Sequence, residues 1–306
     1  MEVIKMAIEI DWGPVNLAGL QLEHQVMVAA GAIKTVSDVR TIANSNSSAV
    51  VVGSVTVEPR LGNQGNTYYH DPDGRFSLNS LGLPNGGLEY FQKNLPEMVA
   101  IAHNKNKPLI VSIAGFSPYQ YARLAEMVRK SGADGQELNL ACPNVWGVDG
   151  KQKSIACFDV DITGEILRLI EQEIGIDFWT SAKLSPYSDP ALLQKIADVI
   201  RPSNVVKVIT GINTFPNAFY LDERGDQAIS FGGGLAGLAG EALRPIGLGT
   251  VRQLKQLLPD KPIIGVGGIN NGTHAREYLH IGASAVQINT KYSNQGPKAF
   301  DEILAN

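Results

Sequence analysis

Cysteine is almost absent. Cys142 and Cys157 are the only two in 306 residues, and neither their number nor their spacing builds a disulfide framework or a zinc site. No metal is expected, and a reducing cytoplasm fits this usage best. No stretch approaches the ~18 apolar residues of a membrane-spanning helix. The start, MEVIKMAIEIDWG, is charged within its first residues and has no apolar core behind them, so neither anchor nor signal peptide is expected. Lys and Arg form no run and the net charge is -4, which argues against a nucleic-acid or anionic-membrane surface and for a small-molecule partner. Repeats, low-complexity tracts and linkers are also lacking, leaving one domain over 1–306.

What is present is 44% hydrophobic residues arranged in a rhythm. Short β-branched runs alternate with amphipathic helical patterns: VMVAAG (26–31), AVVVGSV (49–55), LIVSIAG (109–115), GQELNLA (135–141), FWTSAKL (178–184), VVKVITGIN (205–213), IIGVGG (263–268) and AVQINT (285–290). Eight such strand and helix units predict an α/β protein with a closed (β/α)8 TIM barrel. Two long non-periodic stretches, Thr56 to Asn85 and Thr214 to Pro245, follow strands and should rise as loops from the C-terminal face, where barrel enzymes place their sites. A helical pattern resumes near Leu248. The lead-in IEIDWGPVNLAGLQLEHQ reads as a hairpin closing the opposite end.

Several residues on that face could carry chemistry. Gly267, Gly268, Asn289 and Thr290 follow the last two strands, where barrels build phosphate cradles from backbone N–H groups; alone, the glycine pair equally suits a tight turn. The run FGGGLAGLAGEALRP suits either close backbone approach to a ligand or a flexible lid. Lys183 interrupts an apolar strand and must snorkel to solvent or meet an electron-rich ligand edge. Asn79, Asn139, Asn144 and Asn213 all fall at strand ends or in the long loops, and converging carboxamides would match a planar ligand rich in amides and carbonyls. Cys142, in ELNLACPN, stands between two of them; it is an inert buried thiol or a base whose thiolate its site stabilises. Cys157 reads as packing.

Taken in order, VAAG, VGSVTVEPRLGN, LNSLGLPN, SIAG, ELNLACPN, AKLSPY, GINTF, GLAGEALRP and GVGGI resemble the dihydroorotate dehydrogenase family, over about 29–300. The cysteine in the ACPN loop is that of the soluble class 1, and LNSLGLPN is closest to the homodimeric, fumarate-using class 1A branch, although GINTF leans away from it. The resemblance implies an FMN oxidoreductase that converts dihydroorotate to orotate in pyrimidine biosynthesis. It assigns Cys142 as the base that takes a proton from the ring carbon beside the hydride donor. Asn79, Asn139, Asn144, Asn213 and Thr214 would hold the substrate ring and its carboxylate, with backbone contacts from Leu81, Gly82 and Leu83. Lys183 would meet the pyrimidine edge of the flavin. Ala29, Ala30, Gly31, Gly53, Ser54 and Ile212 would line the cofactor with Asn139, and Gly240, Gly267, Gly268, Asn289 and Thr290 would wrap its ribityl chain and phosphate.

The sequence departs from the family's pattern in three places. Gly53 stands where the family's second strand carries a lysine (KSVT or KSST, here GSVT), Asn289 replaces a glycine, and Lys291 replaces a small residue. Lys34, in AAGAIK, is the nearest candidate to supply the missing cation. Two further readings follow from Gly53: a related FMN oxidoreductase acting on another dihydropyrimidine or cyclic amide, and an FMN-binding protein without turnover.

Overall fold

Each of the eight runs forms a strand, and all eight lie in one parallel sheet. A computed structural model of the chain describes residues 11–145 and 151–305. In chain order the barrel strands are Val26–Val28, Val50–Val55, Leu109–Ile113, Gly135–Asn139, Trp179–Leu184, Val208–Gly211, Ile263–Val266 and Ala285–Ile288. The pairing runs first, eighth, seventh, sixth, fifth, fourth, third, second. Three backbone bonds join the first to the second and complete the circle: Gly31 N donates to Gly53 O, Gly53 N to Ile33 O, and Ser48 N to Val26 O, at 2.8, 2.8 and 2.9 Å. Every residue of these strands is buried, because side chains pointing in fill the barrel and those pointing out meet the helices.

The helices start where the local chemistry allows it. Thr35 and Asp38 form a reciprocal cap on helix Val36–Ala43. Ser117 and Asp189 cap helices Pro118–Lys130 and Pro190–Ile200, each with proline at the first position, where its missing N–H costs nothing. The predicted hairpin is present as Val15–Leu17 paired with Leu20–Leu22. Its place at the N-terminal end of the barrel is set by Trp179, whose indole N–H donates to Leu17 O at 2.7 Å. The part of that reading that covers Ile8 to Ile10 lies outside the described residues.

The two long stretches are not simple loops. Tyr68–His70 and Ser77–Asn79 from the first pair with Phe215–Ala218 and Ala236–Ala239 from the second in a four-stranded antiparallel sheet over the barrel mouth. The glycine run supplies one of these strands, with Gly237 opposite Asn79 and Leu238 opposite Leu78. The sheet has its own small core, in which Leu78, Ala228, Ile229 and Ala236 are packed by Tyr69, Phe76 and Tyr220. The helix expected near Leu248 begins at Arg244.

Candidate active site

The C-terminal ends of the barrel strands deliver polar side chains to one point under the four-stranded lid. Asn139 closes the fourth strand, Lys183 sits in the fifth, Asn213 follows the sixth and Asn289 follows the eighth. Two linked systems of carboxamides result. In the first, Asn213 Nδ2 donates to Asn139 Oδ1 at 3.1 Å, Asn139 Nδ2 donates to Ser54 Oγ at 2.9 Å, and Ser54 and Ser112 share a hydroxyl bond of 2.8 Å. Asn213 Oδ1 also accepts the Thr214 N–H at 2.8 Å. In the second, Asn144 Nδ2 donates to the Asn79 backbone carbonyl at 2.7 Å and to its Oδ1 at 3.1 Å. The four asparagines singled out in the sequence therefore come together as two pairs, and both line one cavity with Cys142.

Two adjoining cavities lie there. One, of about 190 Å³, is lined by Asn79, Asn139, Cys142, Asn144 and Lys183, with Ser54, Gly31 and the Leu81, Gly82, Leu83 turn on its walls. The other, of about 80 Å³, is lined by Ala29, Ile212, Gly240, Gly267 and Gly268. Ala30, Lys183, Asn213, Thr214, Asn289 and Thr290 line both, so the two make one groove. A third cavity of about 520 Å³ meets the groove across Leu83, Asn139 and Cys142. Of the residues assigned from the sequence to substrate or cofactor, Gly53 alone is absent from these linings. Its φ is +111°, and a Cβ there would come within 2.4 Å of the Ser112 carbonyl oxygen. The backbone at this position is closed to a side chain.

Burial sets the electrostatics. Burial pushes the Cys142 thiol up to about 11, against the opposing pull of the Asn144 N–H and the Arg60 guanidinium. Arg60 is held by donating its Nε to Gly82 O at 2.8 Å, and its guanidinium lies 5.0 Å from the centre of the Phe116 ring. Lys183 is buried, with its ammonium 3.4 Å from Glu137 Oε1 and 3.4 Å from Gln287 Oε1; Gln287 Nε2 in turn donates to Glu137 Oε2 at 3.1 Å. The fully buried Cys157, in a short turn at Ala156–Phe158, accepts the Ser185 N–H at 3.4 Å and packs as expected.

Arg60, Glu137, Ser112 and Tyr121, which donates to Asn139 O at 2.7 Å, escaped the sequence reading. Glu137 carried a visible signal, a carboxylate in an apolar strand; the others act through partners distant in the chain. Asn289 does not leave the open cradle a glycine would. Its Nδ2 donates to Ala30 O at 3.0 Å and its Oδ1 accepts the Ser293 hydroxyl at 2.9 Å, tying the eighth strand to the first. Lys291, the third departure from the family's pattern, is paired with Glu302. Among the described residues no cluster of His, Cys, Asp or Glu could hold a metal ion, and no helix is long and apolar enough to cross a membrane.

Known proteins resemble the chain over most of its length. The family profile for dihydroorotate dehydrogenase matches residues 14–306. A dihydroorotate dehydrogenase (fumarate) from Trypanosoma brucei brucei is 32% identical, over 95% of this chain and 93% of its own length. One of the same name from Saccharomyces cerevisiae is 33% identical over 92% and 87%, and a probable dihydroorotate dehydrogenase A (fumarate) from Enterococcus faecalis is 31% identical over 94% and 90%. With a barrel, a lid and a carboxamide-flanked cysteine already in place, a match of this extent allows one conclusion: the chain belongs to the dihydroorotate dehydrogenase family.

Proposed function

We propose that the protein oxidises dihydroorotate to orotate in pyrimidine biosynthesis, using FMN in the groove and fumarate as the final acceptor. The observation that carries this reading is the seat of Cys142 on the wall of a cavity that the Asn139–Asn213 and Asn144–Asn79 pairs also line. The named relatives support the substrate and the acceptor.

The groove fits FMN in chemistry and form. Its smaller end is walled by glycine backbone, and a Cβ on Gly268 would lie 2.9 Å from Gly240 O, so this wall has no room for side chains. Gly240, Gly267, Gly268 and Thr290 would hold the phosphate, while Ala30, Asn139 and Lys183 would face the ring system. Bound there, FMN supplies the two-electron acceptor for hydride. The protein supplies the rest. The carboxamides offer paired donors and acceptors to a flat ring bearing amide N–H and C=O groups, and so fix which ring carbon faces Sγ. Cys142, as thiolate, takes the proton from the carbon adjacent to the one that loses hydride, and the new C=C bond forms between them. The lid sheet excludes water from this step. The Asn144 N–H and Arg60 favour the thiolate, which burial opposes. We further place the protein in the cytoplasm, as a homodimer.

The test is anaerobic reduction. Addition of dihydroorotate to the yellow protein bleaches it, and fumarate restores the colour. Bleaching by another dihydropyrimidine but not by dihydroorotate would move the assignment to a relative of this activity, the reading that Gly53 favours. No bleaching by either would mean a flavin-binding protein without turnover.

A further inference from the structure

Two lysines line the substrate-sized cavity, from opposite sides of the barrel. Lys183 enters on the fifth strand and Lys34 just beyond the first. They differ in what holds them. Lys183 already has Glu137 and Gln287 beneath it. Among the described residues, no hydrogen bond or ion pair engages the Lys34 ammonium. Its nearest carboxylate is committed elsewhere, because Asp38 Oδ2 accepts the backbone N–H groups of Lys34 and Thr35 at 3.0 and 2.9 Å in capping the helix Val36–Ala43. That cap fixes the Lys34 backbone and leaves its side chain to the cavity.

The neighbouring cations are also spoken for. Arg60 is bonded to Gly82 O, and Lys291 to Glu302. Gly53, on the adjoining second strand, cannot offer one, since the Ser112 carbonyl fills the space where its side chain would begin. Yet orotate and dihydroorotate carry a carboxylate besides their neutral ring, and although carboxamide N–H groups can bond either part, they bring no charge to balance it. Among the described residues lining this cavity, Lys34 is the cation that an entering anion finds unengaged.

We propose that Lys34 is the substrate-binding residue that takes the carboxylate of the ligand, making this cavity selective for carboxylated over neutral pyrimidines. The proposal rests on the functional reading above. Desolvation also weakens the hold of the Lys34 ammonium on its proton, so a carboxylate partner would offset a cost the free protein carries. The side chain is only partly buried, so it can reach the ligand without having to open the barrel.

Binding separates the possibilities. Orotate and uracil, the latter lacking the carboxylate, are titrated into the FMN-loaded protein and into Lys34→Gln, Lys34→Met and Lys34→Arg, with affinity read from the perturbation of the flavin spectrum. Bound flavin content and circular dichroism report whether each variant is folded. The expected result is that orotate weakens by about tenfold or more in the Gln and Met variants, as loss of a charge-assisted contact implies. Lys34→Arg keeps most of the affinity, and uracil is unaffected throughout. Unchanged orotate affinity in folded Lys34→Gln and Lys34→Met overturns the proposal, as does equal weakening of orotate and uracil. Wild-type protein that binds no orotate overturns the functional reading itself, and is told apart because it fails before any variant is compared.

Discussion

Asn213 and Asn139, at the ends of the sixth and fourth barrel strands, are locked amide to amide across the fifth, Nδ2 to Oδ1 at 3.1 Å. The same Asn139 oxygen accepts the Ala141 N–H at 3.3 Å, and its Nδ2 is spent on Ser54. These bonds fix which way the Asn139 amide faces, and with it the donor and acceptor pattern presented to a ring. Asn139→Ala leaves a buried hydroxyl, an N–H and a carboxamide short of partners. The expected cost is about 1 to 3 kcal/mol of stability, measured by urea denaturation, together with a loss of orotate affinity.

The state of Cys142 predicts a pH profile. A base must be deprotonated to act, and a thiol held at about 11 is almost wholly protonated at neutral pH. The reductive half-reaction should therefore rise about tenfold per pH unit through the neutral and mildly alkaline range, without a plateau near the ordinary thiol value. Rapid-mixing measurements of bleaching against pH check this. Arg60→Gln removes a charge that favours the thiolate, so its profile should move to higher pH and be slower at every pH on the rising limb. A profile that levels off near neutrality would mean that ligand binding resets the thiol.

The barrel and the site were not equally legible. Eight strands could be read because each lies within a run of six or more residues that carries apolar side chains and stands between helical patterns, a local signal. The lid could not, since its strands are three or four residues long and pair across the chain, Ser77–Asn79 with Ala236–Ala239. No local pattern announces a partner that far away. The four asparagines and Cys142 were visible as types at strand ends, but the choice of pairs was not. Arg60 looks like any loop arginine until Gly82 and Phe116 hold it beside the thiol. Gly53 could be seen to lack a side chain; that the Ser112 carbonyl forbids one is a property of the packed backbone. Gly53→Lys is consequently a poor test of substrate identity, because strain at φ +111° would damage the strand before any charge could act.

Separation of the two barrel ends gives a third prediction. Trp179 donates to Leu17 O at the N-terminal end, far from the groove at the other. Trp179→Phe keeps most of the apolar volume and leaves that carbonyl without its donor, a loss of about 1 kcal/mol. Thermal or urea denaturation should register it, while orotate affinity and the rate of flavin bleaching stay at wild-type values.

The buried Glu137–Lys183 pair gives the last. Both side chains are nearly inaccessible, at 1% and 6% exposure, and each is the other's charge partner in the barrel interior. Replacing one leaves the second charged and alone in a medium that solvates it poorly. Glu137→Gln, nearly identical in shape, should therefore cost about 3 to 5 kcal/mol. Lys183→Met should be costly for the same reason, since it strands the carboxylate. Removing both at once strands neither, so the double variant should be more stable than the sum of the single losses implies, by more than about 1 kcal/mol in a double-mutant cycle on the flavin-free protein. Simple additivity would mean that the 3.4 Å approach carries no coupling, and that Gln287 rather than Glu137 holds the lysine in the barrel.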